Sequence, residues 1–335
     1  MNRRIQFSFF IILCVLLIAI LGSILIGTRD IAIGDILSAF QGDSQDALVI
    51  SILEKRIIRT VLGLITGVAL GISGCLMQSI TRNPIADPSI LGVNAGASLF
   101  VVSGIAFVGL HTPWQYILFA LAGAFTAALL VFGIASFSSR TSYTKASPIR
   151  LALAGAAVST ACSSLISTIM LPRTNVMQTF RFWQVGSIAS GNWSSIFTIL
   201  PIVVLVVIFS FLLAPSLNIM ALGDDAAIGL GINVKRIRTL AAICGVILCA
   251  CVTAICGPIG FVGLIIPHFV RPIWKNDMSK EFVFSALGGA MLLLVGDIIG
   301  RIISRPSEIE VGIVTALIGA PIFILIVQNV KANNT

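Results

Sequence analysis

Residues Pro201 to Cys256 read PIVVLVVIFSFLLAPSLNIMALGDDAAIGLGINVKRIRTLAAICGVILCACVTAIC. Two long apolar blocks flank a charged, glycine-punctuated insert, LGDDAAIGLGINVKRIR, from Leu222 to Arg238. Each block approaches the ~20 apolar residues that cross a ~30 Å hydrocarbon core. In lipid every backbone polar group must be satisfied internally, which leaves helices or a closed barrel. These runs are continuous rather than alternating, so helices are predicted. The insert between them must face water, and its charges and glycines suit a segment that docks another protein.

The rest of the chain is apolar as well. Hydrophobic residues make up 57% and charged residues 10%, with mean hydropathy +1.07. A soluble domain carries about 25% charged residues, so this chain cannot cover a water-soluble particle. About ten spans are predicted, near 7–27, 57–80, 89–109, 113–136, 148–170, 194–214, 236–256, 258–273, 281–303 and 311–330. The eighth is short and follows Gly257-Pro258, which points to a broken or re-entrant segment. The fold class is therefore all-α, a polytopic membrane helical bundle. No linker divides it, so residues 1–335 are read as one transmembrane domain carrying a water-facing segment at 221–238.

The chain begins Met-Asn-Arg-Arg and turns apolar from Phe7 to Ile26, which reads as a retained first helix rather than a signal peptide. An even number of spans puts both termini on one side. That side then holds Arg82; Arg140, Lys145 and Arg150; Lys235, Arg236 and Arg238; Arg271, Lys275 and Lys280; and Lys331, as expected of a cytoplasmic face. Lys55, Arg56, Arg59, Arg173, Arg181, Arg301 and Arg305 fall on the outer side. They are either tolerated exceptions, partly offset by Glu54 and Glu308, or a cationic surface for an acidic partner.

Helix starts are marked by Asp87-Pro88, Thr112-Pro113 and Ser147-Pro148, and Ser307 with Glu310 has capping-box spacing. Gly63, Gly67, Gly71 and Gly74 on the second span, and Gly155, Ser159, Ser163 and Ser167 on the fifth, read as close-packing faces. A serine-lined face also suits the border of a polar conduit, and the second, fifth and eighth spans are the expected lining.

Much chemistry is absent. There is no G-x-x-x-x-G-K-[ST] phosphate loop, H-E-x-x-H or G-x-S-x-G, so no catalytic residues are assigned and the chain is not expected to hydrolyse ATP. The net charge of +8 sits in loops rather than in an aromatic-interleaved platform, so nucleic acid is not an expected partner. Cys249, Cys251 and Cys256 lack zinc-site spacing, and no metal or cofactor site is assigned. His268 reads as structural. Asp297 and Arg301, four apart, share a helix face and can pair. Midplane carboxylates are too few for an ion-coupled carrier, which points to an external energy source.

Five stretches resemble blocks of the permease subunits of type II ABC importers, which carry iron–siderophores, haem and cobalamin. They are TRNPIADPSILGVNAGA (Thr81 to Ala97), FWQVGSIASGNW (Phe182 to Trp193), LGDDAAIGLGINV (Leu222 to Val234), GPIGFVGLIIPHFVR (Gly257 to Arg271) and VGIVTALIGAPIF (Val311 to Phe323). Their order and the span count match the family over nearly the whole chain.

The resemblance implies a multi-pass subunit of a prokaryotic cytoplasmic (inner or plasma) membrane with both termini cytoplasmic. It implies a second permease subunit, identical or paralogous, two ABC ATPase subunits that hold the ATP and Mg, and an extracytoplasmic substrate-binding protein. Asp224, Asp225, Ala226, Gly229 and Gly231 match the ATPase-coupling segment, where an aspartate can cap a short helix and the glycines allow a turn. Arg56, Arg59 and Arg301 match outer arginines that meet acidic residues of the binding protein. Ile58, Glu310 and the Lys275-to-Ser279 run depart from the family pattern. The implied cargo is a ferric siderophore. Haem or cobalamin is the alternative within the family, and an ion-gradient-driven secondary transporter is the alternative outside it.

Overall fold

The structure is a computed structural model that describes residues 3–29, 31–41, 46–137, 148–274 and 277–332. Arg140, Lys145, Ser147 and Lys275 lie outside these. The described residues form helices and no strands. The helices are α1 (Arg3–Leu25), α2 (Ile33–Gln41), α3 (Ala47–Thr81), α4 (Val93–Phe107), α5 (Pro113–Phe137), α6 (Pro148–Met170), α7 (Thr174–Gln184), α8 (Trp193–Ala221), α9 (Asp224–Gly229), α10 (Val234–Cys256), α11 (Val262–Val270), α12 (Met278–Ile303) and α13 (Val311–Ala332). A 3-10 helix, Pro88–Leu91, lies between α3 and α4.

Helices α3, α5, α6, α8, α10 and α12 are each long and apolar enough to cross a membrane, and α1, α4 and α13 supply shorter apolar helices. The predicted eighth span is α11, whose nine residues reach only about 14 Å. It therefore cannot cross. Gly257 (φ 72) and Phe261 (φ 69) turn the chain between α10 and α11, so α11 runs as a half-helix beside α3 and α12.

Helix α3 is the interior element. Its 35 residues reach about 52 Å at 1.5 Å each. The predicted glycine stripe is its contact face. A Cβ at Gly67 would sit 2.4 Å from Ala290 Cα, one at Gly71 2.1 Å from Ser285 O, and one at Gly74 1.9 Å from Gly263 O. Bare backbone is what lets α12 and α11 approach this closely.

The predicted small-residue face of α6 divides within the subunit, with Gly155 buried and Ser159 half-buried. Its buried flank is Leu151, Ala154, Val158, Cys162 and Ile166, at helical spacing, so Ser163 and Ser167 turn outward. Only 28% of α6's apolar window is covered within the subunit, against 78% for α3. The capping box at Ser307 is also absent. Ser307 Oγ donates to Ser304 O at 2.8 Å, and Ile309 N–H donates to Gly300 O at 3.2 Å. These bonds hold the linker against the end of α12, and α13 starts later, at Val311.

The short helix α7 has a simple origin. Val176, Phe180 and Trp183 pack on Val102 and Ile166, while Asn175, Gln178 and Arg181 are exposed. Its mixed polarity hides it from a search for apolar spans.

Candidate functional site

Within the polar insert, Asp224–Gly229 folds into α9 and Val234 to Arg238 begin α10. The N-cap of α9 is Gly223, at φ 128 with no side-chain cap bond, so neither aspartate caps the helix. Asp224 is 6% exposed. It accepts from Arg82 Nη2 at 2.7 Å and from Arg238 Nη2 at 3.1 Å. Ala227 is also buried, so α9 is fastened by one ion pair network and one methyl group. Gly231 (φ 80) supplies the turn after the helix, whereas Gly229 remains helical.

The exposed face of α9 and its flanks carries Asp225, Ala226, Gly229 and Gly231. Beside them stand Leu222, Ile228 (62% exposed) and Leu230 (64% exposed). The residues expected from sequence, Asp224, Asp225, Ala226, Gly229 and Gly231, do not include these three. Their signal was an apolar residue inside an otherwise polar insert. Apolar groups on a water-facing turn mark a surface that something covers.

Arg82 joins α9 to the interior. It is the C-cap of α3, in the left-handed region at φ 50. Its Nη2 donates to Met220 O at 2.7 Å as well as to Asp224. Next to it opens a cavity of about 680 Å³, lined by Gln78, Arg82, Asn218, His268, Arg271 and Glu281 among others. Arg271 Nε lies 3.5 Å from Glu281 Oε2. At the start of α12 the Lys280 side chain hydrogen-bonds Asp277 and holds its carboxyl below the usual carboxylate range. The resulting stability is present above that usual range and is lost as the pH falls through the lowered value.

The opposite end of α3 holds the arginines. Arg56, Arg59 and Arg301 are brought together there, but they are buried rather than displayed. Arg59 Nε donates to Asp297 Oδ1 at 2.7 Å, and its Nη1 pairs with Glu308. Arg301 pairs with Asp297, as the i,i+4 spacing predicted, and Asp297 is 0% exposed. Arg301 Nη1 also donates to Ser23 O at 2.8 Å and Ile26 O at 3.0 Å. Arg56 donates to Ile24 O, Leu25 O and Arg29 O at 2.6–3.0 Å.

Arg56 and Arg301 thus occupy the carbonyls at the C-terminus of α1, the negative end of its dipole. The exposed cations around them are Arg29, Lys55 and Arg305. Arg305 Nη2 donates to Gly27 O at 2.7 Å.

Between the two ends lies the uncovered face of α6, with Ala156, Thr160, Ser163, Ser164, Ser167 and Thr168. Thr160, Ser164, Ser167 and Thr168 each donate to the carbonyl four residues back, at 2.9–3.0 Å. These four hydroxyls are internally satisfied, so the face tolerates either water or a close protein neighbour.

The profile of the FecCD transport family matches residues 15–329. The ferric enterobactin transport system permease protein FepD of Escherichia coli (strain K12) is 39% identical over 317 residues, 95% of this chain and 93% of FepD. The Fe(3+)-citrate import system permease protein YfmD of Bacillus subtilis (strain 168) is 39% identical over 322 residues, 95% of this chain and 94% of YfmD. A solved structure described as an inward-facing metal-chelate type ABC transporter superposes with TM-score 0.79 at 29% identity, covering 95% of this chain and 97% of that one.

Proposed function

The chain belongs to the FecCD transport family, and on that premise we propose that it is the membrane-spanning permease of an ATP-driven, binding-protein-dependent importer of ferric chelates. Two relatives handle ferric enterobactin and ferric citrate, which supports a ferric siderophore or similar chelate as cargo. The protein carries no phosphate loop, so ATP and Mg belong to a partner ATPase on the cytoplasmic side. The membrane is the prokaryotic cytoplasmic membrane, with both termini inside.

The observation that carries this reading is α9. It is short, anchored through buried Asp224, and presents Ile228 and Leu230 to solvent. Such a helix fits an apolar cleft on the ATPase and is held firmly enough to be pushed. Asp225, Ala226, Gly229 and Gly231 belong to the contact face, whereas Asp224 belongs to its foundation. Docking of an acidic binding protein falls to the opposite end, where Arg56, Arg59 and Arg301 form the base and Arg29, Lys55 and Arg305 the exposed crown. A second permease subunit covers the open face of α6, and the chelate passes between them.

The test is copurification with the ATPase. Replacement Ile228→Asp should weaken association by about tenfold or more, as loss of a buried apolar anchor does. Unchanged copurification would remove α9 from the ATPase interface.

A further inference from the structure

We infer that Arg82 is a positioning residue that carries movement of α9 into the interior of the subunit, toward the open face of α6. This rests on the reading of α9 as the ATPase-docking helix. Arg82 Nη2 reaches two elements at once, Asp224 Oδ1 at the start of α9 and Met220 O in the last turn of α8, each at 2.7 Å. A planar, permanently charged guanidinium suits a joint of this kind, since it keeps its charge and geometry while bridging two acceptors.

On its other side Arg82 is covalently continuous with a stiff segment. Ile85 N–H donates to Asn83 Oδ1 at 3.1 Å, Ala86 N–H to Asn83 O at 3.1 Å, and Ser89 N–H to Asp87 Oδ1 at 2.9 Å. These bonds leave little slack between Arg82 and the 3-10 helix Pro88–Leu91. Gly92, directly after it, sits where an added Cβ would lie 3.4 Å from Val158 Cγ1 and 3.6 Å from Ser159 Oγ of α6. A displacement of α9 therefore has a short, hydrogen-bonded route through Asp224, Arg82 and residues 83–92 to α6.

The backbone of Arg82 separates this role from a merely structural one. At φ 50 an arginine bears a Cβ penalty that glycine does not. Glycine is also the residue that most readily closes a helix in this conformation. If the position served only to end α3, Arg82→Gly would be neutral or favourable.

The experiment uses the assembled transporter in lipid nanodiscs, with Ser163→Cys as a reporter on α6 and a water-soluble maleimide as probe. In the parent the rate of labelling should change between nucleotide-free and ATP-bound states, and an unchanged rate there overturns the proposal as well. In Arg82→Gly the Arg238 pair still holds Asp224 and the exposed Ile228 and Leu230 are untouched, so ATPase association should stay within about twofold while the nucleotide-driven change in labelling shrinks by about tenfold, within the range of coupling free energies. Arg82→Lys should restore part of the response, because an ammonium reaches one acceptor better than two.

A full labelling response in Arg82→Gly overturns the proposal, and so does loss of ATPase association in that variant. The companion variant Ile228→Asp tests the underlying reading separately. If it retains the ATPase, the docking assignment of α9 fails irrespective of how Arg82→Gly behaves.

Discussion

The carboxylates at the two ends of α3 do related work. Asp224 gathers Arg82 and Arg238, and Asp297 gathers Arg59 and Arg301. Such buried pairs add little net stability, but removing one member strands the other charges. Asp297→Asn leaves two buried guanidinium groups without their shared anion. It should cost about 3–5 kcal/mol, read as a lowered unfolding temperature of the purified subunit in detergent. An unchanged transition would mean that Glu308 and the carbonyls of α1 suffice to hold both arginines. The identity of these arginines was legible in the sequence, but their burial was not. Arg59 meets Asp297 238 residues away, and Arg301 meets Ser23 278 residues away. No local pattern announces such pairings. Only the Asp297–Arg301 pair, one turn apart, could be read directly.

At the scale of elements, backbone contact on α3 makes a graded prediction. Gly71→Ala drives a Cβ to within 2.1 Å of the Ser285 carbonyl, which cannot rotate away. Gly63→Ala meets Leu294 Cδ2 at 3.0 Å and Ile188 Cδ1 at 3.2 Å, the ends of side chains that can shift. The first should lose more than the roughly 1–3 kcal/mol of ordinary overpacking, and the second less. Comparing the thermal stability of the two variants checks this, and equal losses would refute a backbone-limited α3–α12 seam. The helix α9 was visible as a polar interruption because charge between two spans is anomalous. Which of its residues face out was not visible. Six residues make fewer than two turns, too short for a periodic signal, and only the seating of Asp224 and Ala227 sets its rotation. The shortness of α11 was half legible, from Gly257-Pro258 and the length of the apolar run.

At the scale of the whole molecule, the open face of α6 is a hydroxyl-bearing surface that the subunit leaves uncovered. If a conduit runs along it beside a second subunit, a thiol introduced by Ser163→Cys should react with a water-soluble maleimide in the assembled transporter. Leu165→Cys, on the flank of the same helix, should stay unreactive in lipid. The background is low because six of the seven native cysteines are buried. Equal labelling at both positions would remove the conduit from this face. From sequence alone one reads a helical membrane bundle, its approximate spans, the water-facing insert and the absence of a phosphate loop. The first three follow from the bilayer, which imposes length, apolarity and internal hydrogen bonding on each span separately, so short stretches of chain suffice to reveal them. The tertiary structure decided the rest: the burial of the arginines under the end of α1, the rotation of α9 that hides Asp224 and shows Ile228, and the face of α6 left uncovered. Within lipid nearly every helix surface is apolar, so hydrophobicity does not say which surface meets which. Close backbone approach and paired buried charges choose among them, and both depend on residues far apart along the chain.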